Sequence, residues 1–321
     1  MTVEIELKSR VASRPEHPNS WVFYDGEVVR YHDAHIGIAT HALHYGTACF
    51  EGIRAYWNET QEQLFLLHGP AHYDRLRNSG KILRMELPYS TEELIDITLD
   101  LLRRNDYRTD AYIRPLLYKS VEQIGVQLHG LADGFLIYTA EMGNYVEIES
   151  GIRCMVSSWR RISDSALPAR AKASGGYVNS ALAKSEALEA GFDEAIVLTA
   201  DGHVSEGSAE NLFLYKDGVW VTPPVTDDIL EGITRRLVIN MIRDELGVPV
   251  VERSIDRTEL YTCEELLLCG TGAQISPVIE VDHRRVGNGK VGEFSQEIQA
   301  LYFDAVRGET SKYRDWTIPV Y

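Results

Sequence analysis

The chain has 321 residues, 44% of them hydrophobic and 25% charged, with a formal net charge of -16. Such a negative surface repels nucleic-acid phosphates and anionic membranes, so the composition favours a small-molecule partner over either of these. The sequence contains no run of about 18 apolar residues, and its start, "MTVEIELKSR", lacks the pattern of a signal peptide. We therefore expect a cytoplasmic protein, long enough for two domains.

Four cysteines, Cys49, Cys154, Cys263 and Cys269, are scattered without a C-x-x-C spacing. This spacing argues against a zinc ribbon, a thioredoxin-like redox pair and a disulfide scaffold. Cysteine is among the most frequently buried residue types, so we expect free and mostly buried thiols.

The first half alternates strand and helix patterns. Two β-branched and aromatic runs surround Asp25-Gly26, which predicts a hairpin over residues 19–31. The later elements are predicted as a strand at 62–67, a helix at 69–83, a helix opened by the capping box of Ser90 and Glu93, and strands at 111–120 and 134–142. We expect an α+β small domain over residues 1–140, followed by a linker at 141–150.

Residues 151–321 are predicted to form a larger α+β domain. It contains a strand at 152–159, a helix ended by Gly191, a meander with Asp201-Gly202 and Asp217-Gly218 turns, a helix stopped by Gly247, a strand at 265–271 and a last helix at 292–306. The sequence has no G-x-G-x-x-G after a strand, no P-loop motif and no G-x-S-x-G, so the common nucleotide-binding and hydrolase sites are not indicated.

Paired histidines in the first half raise the possibility of a metal site. His41 and His44 lie three residues apart, and His32 and His35 repeat that spacing. The glycines of "ATHALHYGTACFEG" favour an extended or looped segment, and no third ligand follows at motif spacing. A zinc-dependent hydrolase therefore remains only an alternative, one that a yellow, chelator-insensitive protein would dismiss.

Three local features of the second half carry possible chemistry. Lys172 lies in the small-residue segment "ARAKASGGYVNS", where a flat ligand can approach an amine closely and a partly desolvated amine can form a Schiff base. Glu206 and Glu210 in "SEGSAENLF" could each pair with a buried cationic nitrogen. Taken alone, each is more often a surface lysine or a solvent-facing turn glutamate.

The third feature is a pair of anion-binding turns. "EGITR" begins a helix, so the amides of Ile233 and Thr234 point outward at its positive end. "LCGTGA" follows a strand and offers the backbone N–H groups around Thr271 and Gly272. A Schiff-base lysine, a buried carboxylate and two phosphate-binding turns together match the requirements of pyridoxal 5'-phosphate.

The whole chain resembles the branched-chain-amino-acid aminotransferases, which are class IV, fold-type IV pyridoxal-phosphate enzymes. The motifs run in family order: "WVFYDGEVV", "HALHYGTACFEGIRAY", "HYDRL", "AYIRPL", "VSSWRR", "AKASGGYVNS", "SEGSAENLF", "TPPVTDDILEGITR" and "CGTGAQISPV". The resemblance implies a two-domain fold with a barrel-like mixed sheet in the larger domain and the cofactor between the domains. It also implies a homodimer or larger assembly, in which a small-domain loop reaches the neighbour's site.

The resemblance also implies roles for individual residues. Lys172 would hold the cofactor and move the substrate proton, Glu206 would face the pyridine nitrogen, and Tyr177 would face the phenolic oxygen. The phosphate would be bound by Arg75, Ile233, Thr234 and Thr271. The residues expected to contact the substrate are Tyr45, Phe50, Gly52, Arg54, Tyr112, Arg114, Thr271 and Gly272.

Within that set, Tyr112 and the turn at Thr271-Gly272 would take the α-carboxylate. Tyr45 and Arg114 would meet the distal carboxylate of glutamate, while aromatic and small residues leave room for a branched side chain. The implied reaction is ping-pong transamination of leucine, isoleucine and valine with 2-oxoglutarate, giving branched 2-oxo acids and L-glutamate.

Two departures from the family pattern leave the substrate range open. Met142 stands where many bacterial relatives carry tryptophan. The segment "SVEQIGVQLHG" keeps an I-G-V core, but the residues on either side of that core differ from the family pattern. The alternatives are a transaminase of D-amino acids or (R)-amines, one with broadened amine scope, and an aminodeoxychorismate lyase. A catalytically idle scaffold would be expected to lose Lys172 or Glu206, and both are present.

Overall fold

A computed structural model of the protein describes residues 20–143 and 150–321. Most of the predicted linker, residues 144–149, lies outside this range. The first sheet has eight strands, all paired antiparallel, in the order β17-β5-β4-β6-β7-β1-β2 with β3 beside β6. Its strands are β1 (Trp21–Tyr24), β2 (Glu27–Arg30), β3 (Ala48–Phe50), β4 (Ile53–Asn58), β5 (Gln63–Leu67), β6 (Ala111–Lys119), β7 (Asp133–Glu141) and β17 (Thr317–Pro319).

The local signals of the first half are confirmed. Asp25 and Gly26, both with positive φ, form the turn between β1 and β2. Helix α2 (Gly69–Ile82) follows β5, and α3 (Thr91–Asn105) begins with the Ser90–Glu93 capping box. Both helices contribute leucines to a core that they share with the inner face of the sheet.

The segment that contains the paired histidines differs from its prediction. It was expected to be extended or looped, but residues His41–Tyr45 form a short helix, α1, which ends at Gly46 with φ of 65°. The glycine terminates the helix in the left-handed conformation, and strand β3 begins two residues later. A single turn of helix is too short to show the periodicity by which helices are recognised in sequence.

The second sheet is mixed and has nine strands in the order β10-β9-β8-β15-β14-β11-β12-β13, with β16 beside β15. Its strands are β8 (Ile152–Arg160), β9 (Glu194–Leu198), β10 (Val204–Gly207), β11 (Asn211–Lys216), β12 (Val219–Thr222), β13 (Val250–Glu252), β14 (Glu265–Gly270), β15 (Gln274–Val281) and β16 (Arg284–Arg285). Strand β8 is parallel to β9 and β15, and β12 is parallel to β13.

This second sheet curls on itself. Strands β10 and β11 stand far apart in the strand order, yet the Gly207 amide donates to the Glu210 carbonyl. Alternate residues of β11 and β14 also pack on opposite faces. Leu212 and Leu214 enter a core enclosed by the curled sheet, whereas Phe213 packs under the covering helices. The predicted α+β fold with a barrel-like mixed sheet is thus confirmed.

Three helices cover the second sheet or connect its strands. Helix α4 (Tyr177–Glu189) lies between β8 and β9, α5 (Ile233–Met241) continues as a π-helix over Ile242–Leu246, and α6 (Glu293–Val306) precedes the C-terminal segment. The sequence predicted these helices but not the return of the chain at β17, which pairs with β5 of the first sheet. None of the helices in the described ranges is long and apolar enough to cross a membrane.

Candidate active site

Lys172 lies in the connection between β8 and α4, and residues of the first half hold this connection in place. The Lys172 carbonyl accepts a hydrogen bond from the Phe50 amide at 3.1 Å, and the Lys172 amide donates to Ser79 Oγ at 3.1 Å. Ala173 forms a β-bridge with Cys49. The lysine backbone is therefore fixed at the junction of the two sheets.

The structure gives Gly175 a different role from the one that its sequence context suggests. The small residues around Lys172 predict that a flat ligand can approach the lysine amine. Gly175, one of these residues, instead packs on the backbone of Gly46. A Cβ on Gly46 would lie 2.8 Å from the Gly175 Cα, and the Gly175 amide donates to the Gly46 carbonyl. These two glycines let the lysine segment approach the first sheet closely.

A cavity of about 360 Å³ opens in front of Lys172, with walls from both halves of the chain. Twelve of the fourteen predicted site residues line it: Phe50, Gly52, Arg75, Tyr112, Arg114, Lys172, Tyr177, Glu206, Ile233, Thr234, Thr271 and Gly272. Lys172 Nζ donates to the Tyr177 hydroxyl at 2.8 Å and lies 5.2 Å from the centre of the Phe50 ring. Aromatic surfaces therefore limit the directions in which the amine can move.

Glu206 is buried at the end of β10 and faces two kinds of donor. Its carboxylate pairs with Arg161 at 3.0 Å and accepts hydrogen bonds from the Leu230 amide at 3.1 Å and from Asn211 Nδ2 at 3.2 Å. Burial nevertheless raises the pKa of Glu206 above its ordinary value, because Arg161, Leu230 and Lys172 offset desolvation only in part. A further cation in the cavity would favour the ionised form.

Glu210, the second candidate carboxylate, has a different environment. It is buried and lines the cavity, but its side chain accepts from the Ala209 amide. Burial, and then the neighbouring Glu194 carboxylate, raises the pKa of Glu210 above its ordinary value. Glu206 has Arg161 and the Leu230 amide as partners of its charged form, so the geometry favours Glu206 as the partner of a cationic nitrogen.

The two predicted anion-binding turns lie in the wall of the same cavity. Helix α5 begins at Ile233 after Gly232, and no described side chain caps its N-terminus. A Cβ on Gly232 would lie 2.0 Å from Asn211 Oδ1, so only glycine allows this approach. Asn211 also donates to Glu206, which links the helix start to the carboxylate. The other turn, at Thr271 and Gly272, joins β14 to β15.

Arg75 reaches the cavity from α2 and is held by a residue that the sequence analysis did not select. The fully buried Glu51 accepts from Arg75 Nε at 2.7 Å and from its Nη2 at 2.8 Å. His72 Nδ1 lies 2.7 Å from the same carboxylate. Burial alone would raise the pKa of Glu51, but Arg75 and His72 outweigh it and lower that pKa to about 2.

The part of the cavity wall formed by β3, Gly52 and β6 is aromatic and contains one cation. Arg114 donates to the Tyr112 hydroxyl through Nε at 3.1 Å and through Nη2 at 2.5 Å, and its guanidinium lies 4.4 Å from the Phe50 ring centre. A Cβ on Gly52 would lie 2.4 Å from the Tyr112 hydroxyl oxygen. A side chain at position 52 would therefore displace the Tyr112 hydroxyl from its place in the cavity wall.

Tyr45 and Arg54, the other two predicted substrate contacts, lie outside this cavity. Tyr45 is 38% exposed, and its hydroxyl accepts from the Gly125 amide at 3.3 Å. Arg54 is fully buried and donates to backbone carbonyls behind the cavity wall, including that of Thr271 at 3.0 Å. Neither side chain lines the cavity of its own chain, because Tyr45 extends to Gly125 and the Thr271-Gly272 turn lies between Arg54 and the cavity.

Comparison with known proteins places this geometry in a family. The model of the class IV amino-transferase family matches residues 48–281, more than half of the chain. A protein of Aquifex aeolicus, named "Probable branched-chain-amino-acid aminotransferase", is 48% identical over 301 residues, covering 94% of this chain and 97% of the relative.

Solved structures agree with the sequence match. The branched-chain aminotransferase of Thermoproteus uzoniensis, solved with norvaline, superposes with a TM-score of 0.90 at 43% identity, covering 94% of this chain and 99% of that chain. The chain belongs to the branched-chain-amino-acid aminotransferase family. It is therefore an enzyme with the fold-type IV architecture. The PLP form of the Thermobaculum terrenum branched-chain aminotransferase also superposes, with a TM-score of 0.91 at 34% identity over 95% of this chain and 100% of that chain.

In this member of the family, the paired histidines have local partners. His41 contacts Thr47 Oγ1 at 2.7 Å and the Gly125 carbonyl at 2.8 Å, and His44 contacts the Ile38 carbonyl at 2.8 Å. Over the ranges 20–143 and 150–321, no three histidine, cysteine or acidic side chains are grouped as a metal site would require. All four cysteines are buried as free thiols, as predicted.

Glu51 and Arg161 are the site-supporting residues that the sequence analysis missed. Glu51 is the one acidic residue in the buried run 48–57, and a lone carboxylate among apolar neighbours could have indicated a buried cation partner. Arg161 follows a strand and had no local signal, because its partner Glu206 lies 45 positions further along the chain.

We expect the substitution Glu51→Gln to destabilise the protein at neutral pH. Removing one partner of a buried ion pair costs about 3–5 kcal/mol of unfolding free energy. The folded-state pKa of Glu51, about 2, lies below the ordinary carboxyl value, so its stabilising effect is present above about pH 4.5 and is lost as the pH falls toward 2. Urea unfolding of wild type and variant should therefore differ at pH 7 and converge near pH 2.

The substitution Glu259→Gln provides the control. Glu259 forms a similar two-bond pair with Arg253, but that arginine side chain is 44% exposed. Exposed pairs contribute about 1 kcal/mol or less, so this variant should remain close to wild type. Equal losses in the two variants, or a Glu51→Gln effect that does not change with pH, would contradict the assignment.

Proposed function

We propose that this enzyme transfers the amino group of L-leucine, L-isoleucine and L-valine to 2-oxoglutarate by a ping-pong reaction. The products are the branched 2-oxo acids and L-glutamate. The observation that supports this most strongly is the composition of one side of the cavity wall, in which Phe50 and Gly52 lie beside the guanidinium of Arg114. The apolar side chain of a branched amino acid can contact Phe50 and Gly52, and the distal carboxylate of glutamate can contact Arg114, in the two successive half-reactions.

We propose pyridoxal 5'-phosphate as the cofactor, and the side chains in the cavity fit it. Arg75, the Ile233 and Thr234 amides at the start of α5, and Thr271 would bind its phosphate. Glu206 would face the ring nitrogen, and Tyr177 the phenolic oxygen. When bound, the cofactor supplies a conjugated ring that stabilises negative charge at the substrate Cα.

The chain's own groups then carry out the proton transfer and the orientation. Lys172 Nζ would take the proton from the substrate Cα and return it, from the same side, to the cofactor carbon that is bonded to the amino nitrogen. The Tyr177 hydroxyl, 2.8 Å away, limits the positions of that amine. Tyr112 and the turn at Thr271-Gly272 would fix the α-carboxylate, so that the Cα–H bond points at Lys172.

The residue at the cavity edge supports a second candidate with broader amine scope. Met142, the residue at which the sequence departs from the family pattern, lines the cavity. A flexible thioether adapts its shape more easily than an indole ring, so D-amino acids or (R)-amines could also be accommodated. The lyase alternative gains no support from the wall, because Arg114 provides a site for an acidic amino acceptor.

A half-reaction panel tests this proposal without assuming an acceptor. L-leucine, L-isoleucine and L-valine should bleach the visible absorption band of the bound cofactor, and 2-oxoglutarate should restore it. The panel should also contain D-alanine, an (R)-arylamine and L-aromatic amino acids. A faster half-reaction with D-alanine or the arylamine than with L-leucine would replace the proposal with the second candidate.

We also propose a homo-oligomer in which each chain completes its neighbour's site. The loops at residues 34–47 and 120–127 expose large apolar side chains: Ile38 is 86%, Leu43 68%, Ile124 93% and Val126 78% exposed. Tyr45, in the first of these segments, contacts Gly125 of the second and does not line the cavity of its own chain. A patch of this kind is typical of a protein interface. A monomer in light scattering at micromolar concentration would refute the assembly.

A further inference from the structure

Arg54 is a buried cation whose hydrogen bonds all go to the protein backbone. It lies in β4 with no exposed surface. Its side chain donates four hydrogen bonds in the described part of the chain, and each acceptor is a carbonyl oxygen. Burying a guanidinium is costly unless its donors are satisfied, and here backbone carbonyls accept four hydrogen bonds from it.

The four carbonyls belong to two separate segments. Nε donates to Thr271 at 3.0 Å and Nη2 to Gly272 at 3.3 Å, in the turn between β14 and β15. Nη1 donates to Met142 at 3.1 Å and Nη2 to Gly143 at 2.8 Å, directly after β7. One side chain thus ties the second sheet to the end of the last strand before the predicted linker.

Peptide geometry determines what the Thr271-Gly272 turn presents to the cavity. In a trans peptide the C=O and the following N–H point in opposite directions. Because the carbonyls of Thr271 and Gly272 point toward Arg54, the N–H groups of Gly272 and Ala273 point away from it. All three residues line the cavity. The arginine and the cavity therefore lie on opposite sides of the same two peptide units.

The position of Arg54 within the first sheet adds an independent link to the same place. Arg54 is the direct cross-strand partner of Tyr112, which lines the cavity. Side chains of such partners lie on the same face of a sheet. Arg54 therefore lies beside Tyr112 and behind the Thr271-Gly272 turn, the two groups expected to contact the substrate carboxylate.

We propose that Arg54 is a positioning residue for the substrate α-carboxylate, acting through the Thr271-Gly272 turn without touching the substrate. This inference rests on the proposed function, because it assumes that the turn binds that carboxylate. The guanidinium fixes both peptide planes and polarises them, so that their N–H groups become stronger donors toward an anion.

Two substitutions separate the geometry from the charge. Arg54→Lys keeps the charge but cannot reach four carbonyls, whereas Arg54→Gln keeps a planar donor but loses the charge. The ligands for the holoenzyme are 4-methylpentanoate and 4-methylpentan-1-ol, which share a branched chain and differ in the carboxylate. Their dissociation constants are measured by calorimetry.

We expect both variants to weaken binding of 4-methylpentanoate by about 5- to 150-fold, the usual range for coupling between linked sites, and binding of the alcohol by less than about threefold. Arg77 supplies the matched control. It also donates to two backbone carbonyls, those of Leu87 and Tyr89, but away from the cavity. Arg77→Lys and Arg77→Gln should leave both constants unchanged.

A second measurement uses the cofactor-free protein. Hydrogen exchange at the amides of residues 271–273 should accelerate in the Arg54 variants and not in the Arg77 variants, because only the former release this turn. Equal weakening of acid and alcohol, or unchanged exchange at the turn, would overturn the proposal. Failure of both Arg54 variants to fold, with both Arg77 variants folded, would assign Arg54 to the stability of the junction instead.

The outcomes also distinguish this inference from the proposed function. If wild-type enzyme fails to react with branched-chain L-amino acids, the proposed substrates are wrong, whatever the Arg54 variants do. If wild type reacts with them and the variants bind the acid as tightly as wild type, only the role of Arg54 is wrong.

Discussion

Loss of the visible absorption band of the bound cofactor is the expected result of the substitution Lys172→Ala. Lys172 is the one lysine among the described residues of the cavity wall, so it alone there can form an imine with a carbonyl cofactor, and its backbone is fixed by Phe50 and Ser79. The same change removes the group that we propose to move the substrate proton. Turnover should therefore fall by at least about 10²- to 10⁴-fold, the contribution typical of a positioned acid or base.

Absorption spectra and turnover of Lys172→Ala should be compared with those of Lys216→Ala. Lys216 lies at the far end of β11 and donates to Thr262 on the surface. Its replacement should leave the spectrum and turnover unchanged. An unaltered band in the purified Lys172→Ala protein would refute both the cofactor and the role of this lysine.

The second large effect is expected from Glu206→Gln. A carboxylate beside a cationic nitrogen raises the pKa of that nitrogen by about 1–3 units, so its loss lowers the protonated fraction of the bound ring by up to about 10- to 1,000-fold at neutral pH. The half-reaction with L-leucine should slow accordingly. It should recover as the pH is lowered, because solvent then protonates the ring nitrogen without help from Glu206.

Glu194→Gln is the matched control for this prediction. Glu194 is also a buried carboxylate of the second sheet, paired with Lys184 at 2.5 Å and accepting from the Ala195 amide, but it is not part of the cavity wall. A general loss of packing or charge would slow both variants alike. Equal slowing, or a Glu206→Gln rate with the pH profile of wild type, would exclude Glu206 as the partner of the ring nitrogen.

The raised pKa of Glu206 indicates how the site responds to its cofactor. Burial raises the pKa of Glu206, and Arg161, the Leu230 amide and Lys172 offset this effect in part. A cationic ring nitrogen next to Glu206 would lower that pKa further and favour the ionised carboxylate.

Local patterns in the sequence were sufficient for most of the secondary structure. Three kinds of signal act within a few residues: the Asp25-Gly26 turn, the Ser90–Glu93 capping box and the glycines that end helices. Because their effect is local, it can be predicted from the sequence alone. The order of the motifs was also sufficient for the family, because each motif is a short segment with its own signature.

Only the tertiary structure decided where Arg54 and Tyr45 face, what holds Arg75, and that the last strand returns to the first sheet. Arg54 and Thr271 are separated by 217 positions, and their contact depends on how two sheets pack. The amino-acid sequence by itself determined the elements, the family and the residues around Lys172, since these follow from short-range hydrogen bonding and periodicity. The direction of each buried side chain was decided by packing and by the need to satisfy buried charges, which no local pattern records.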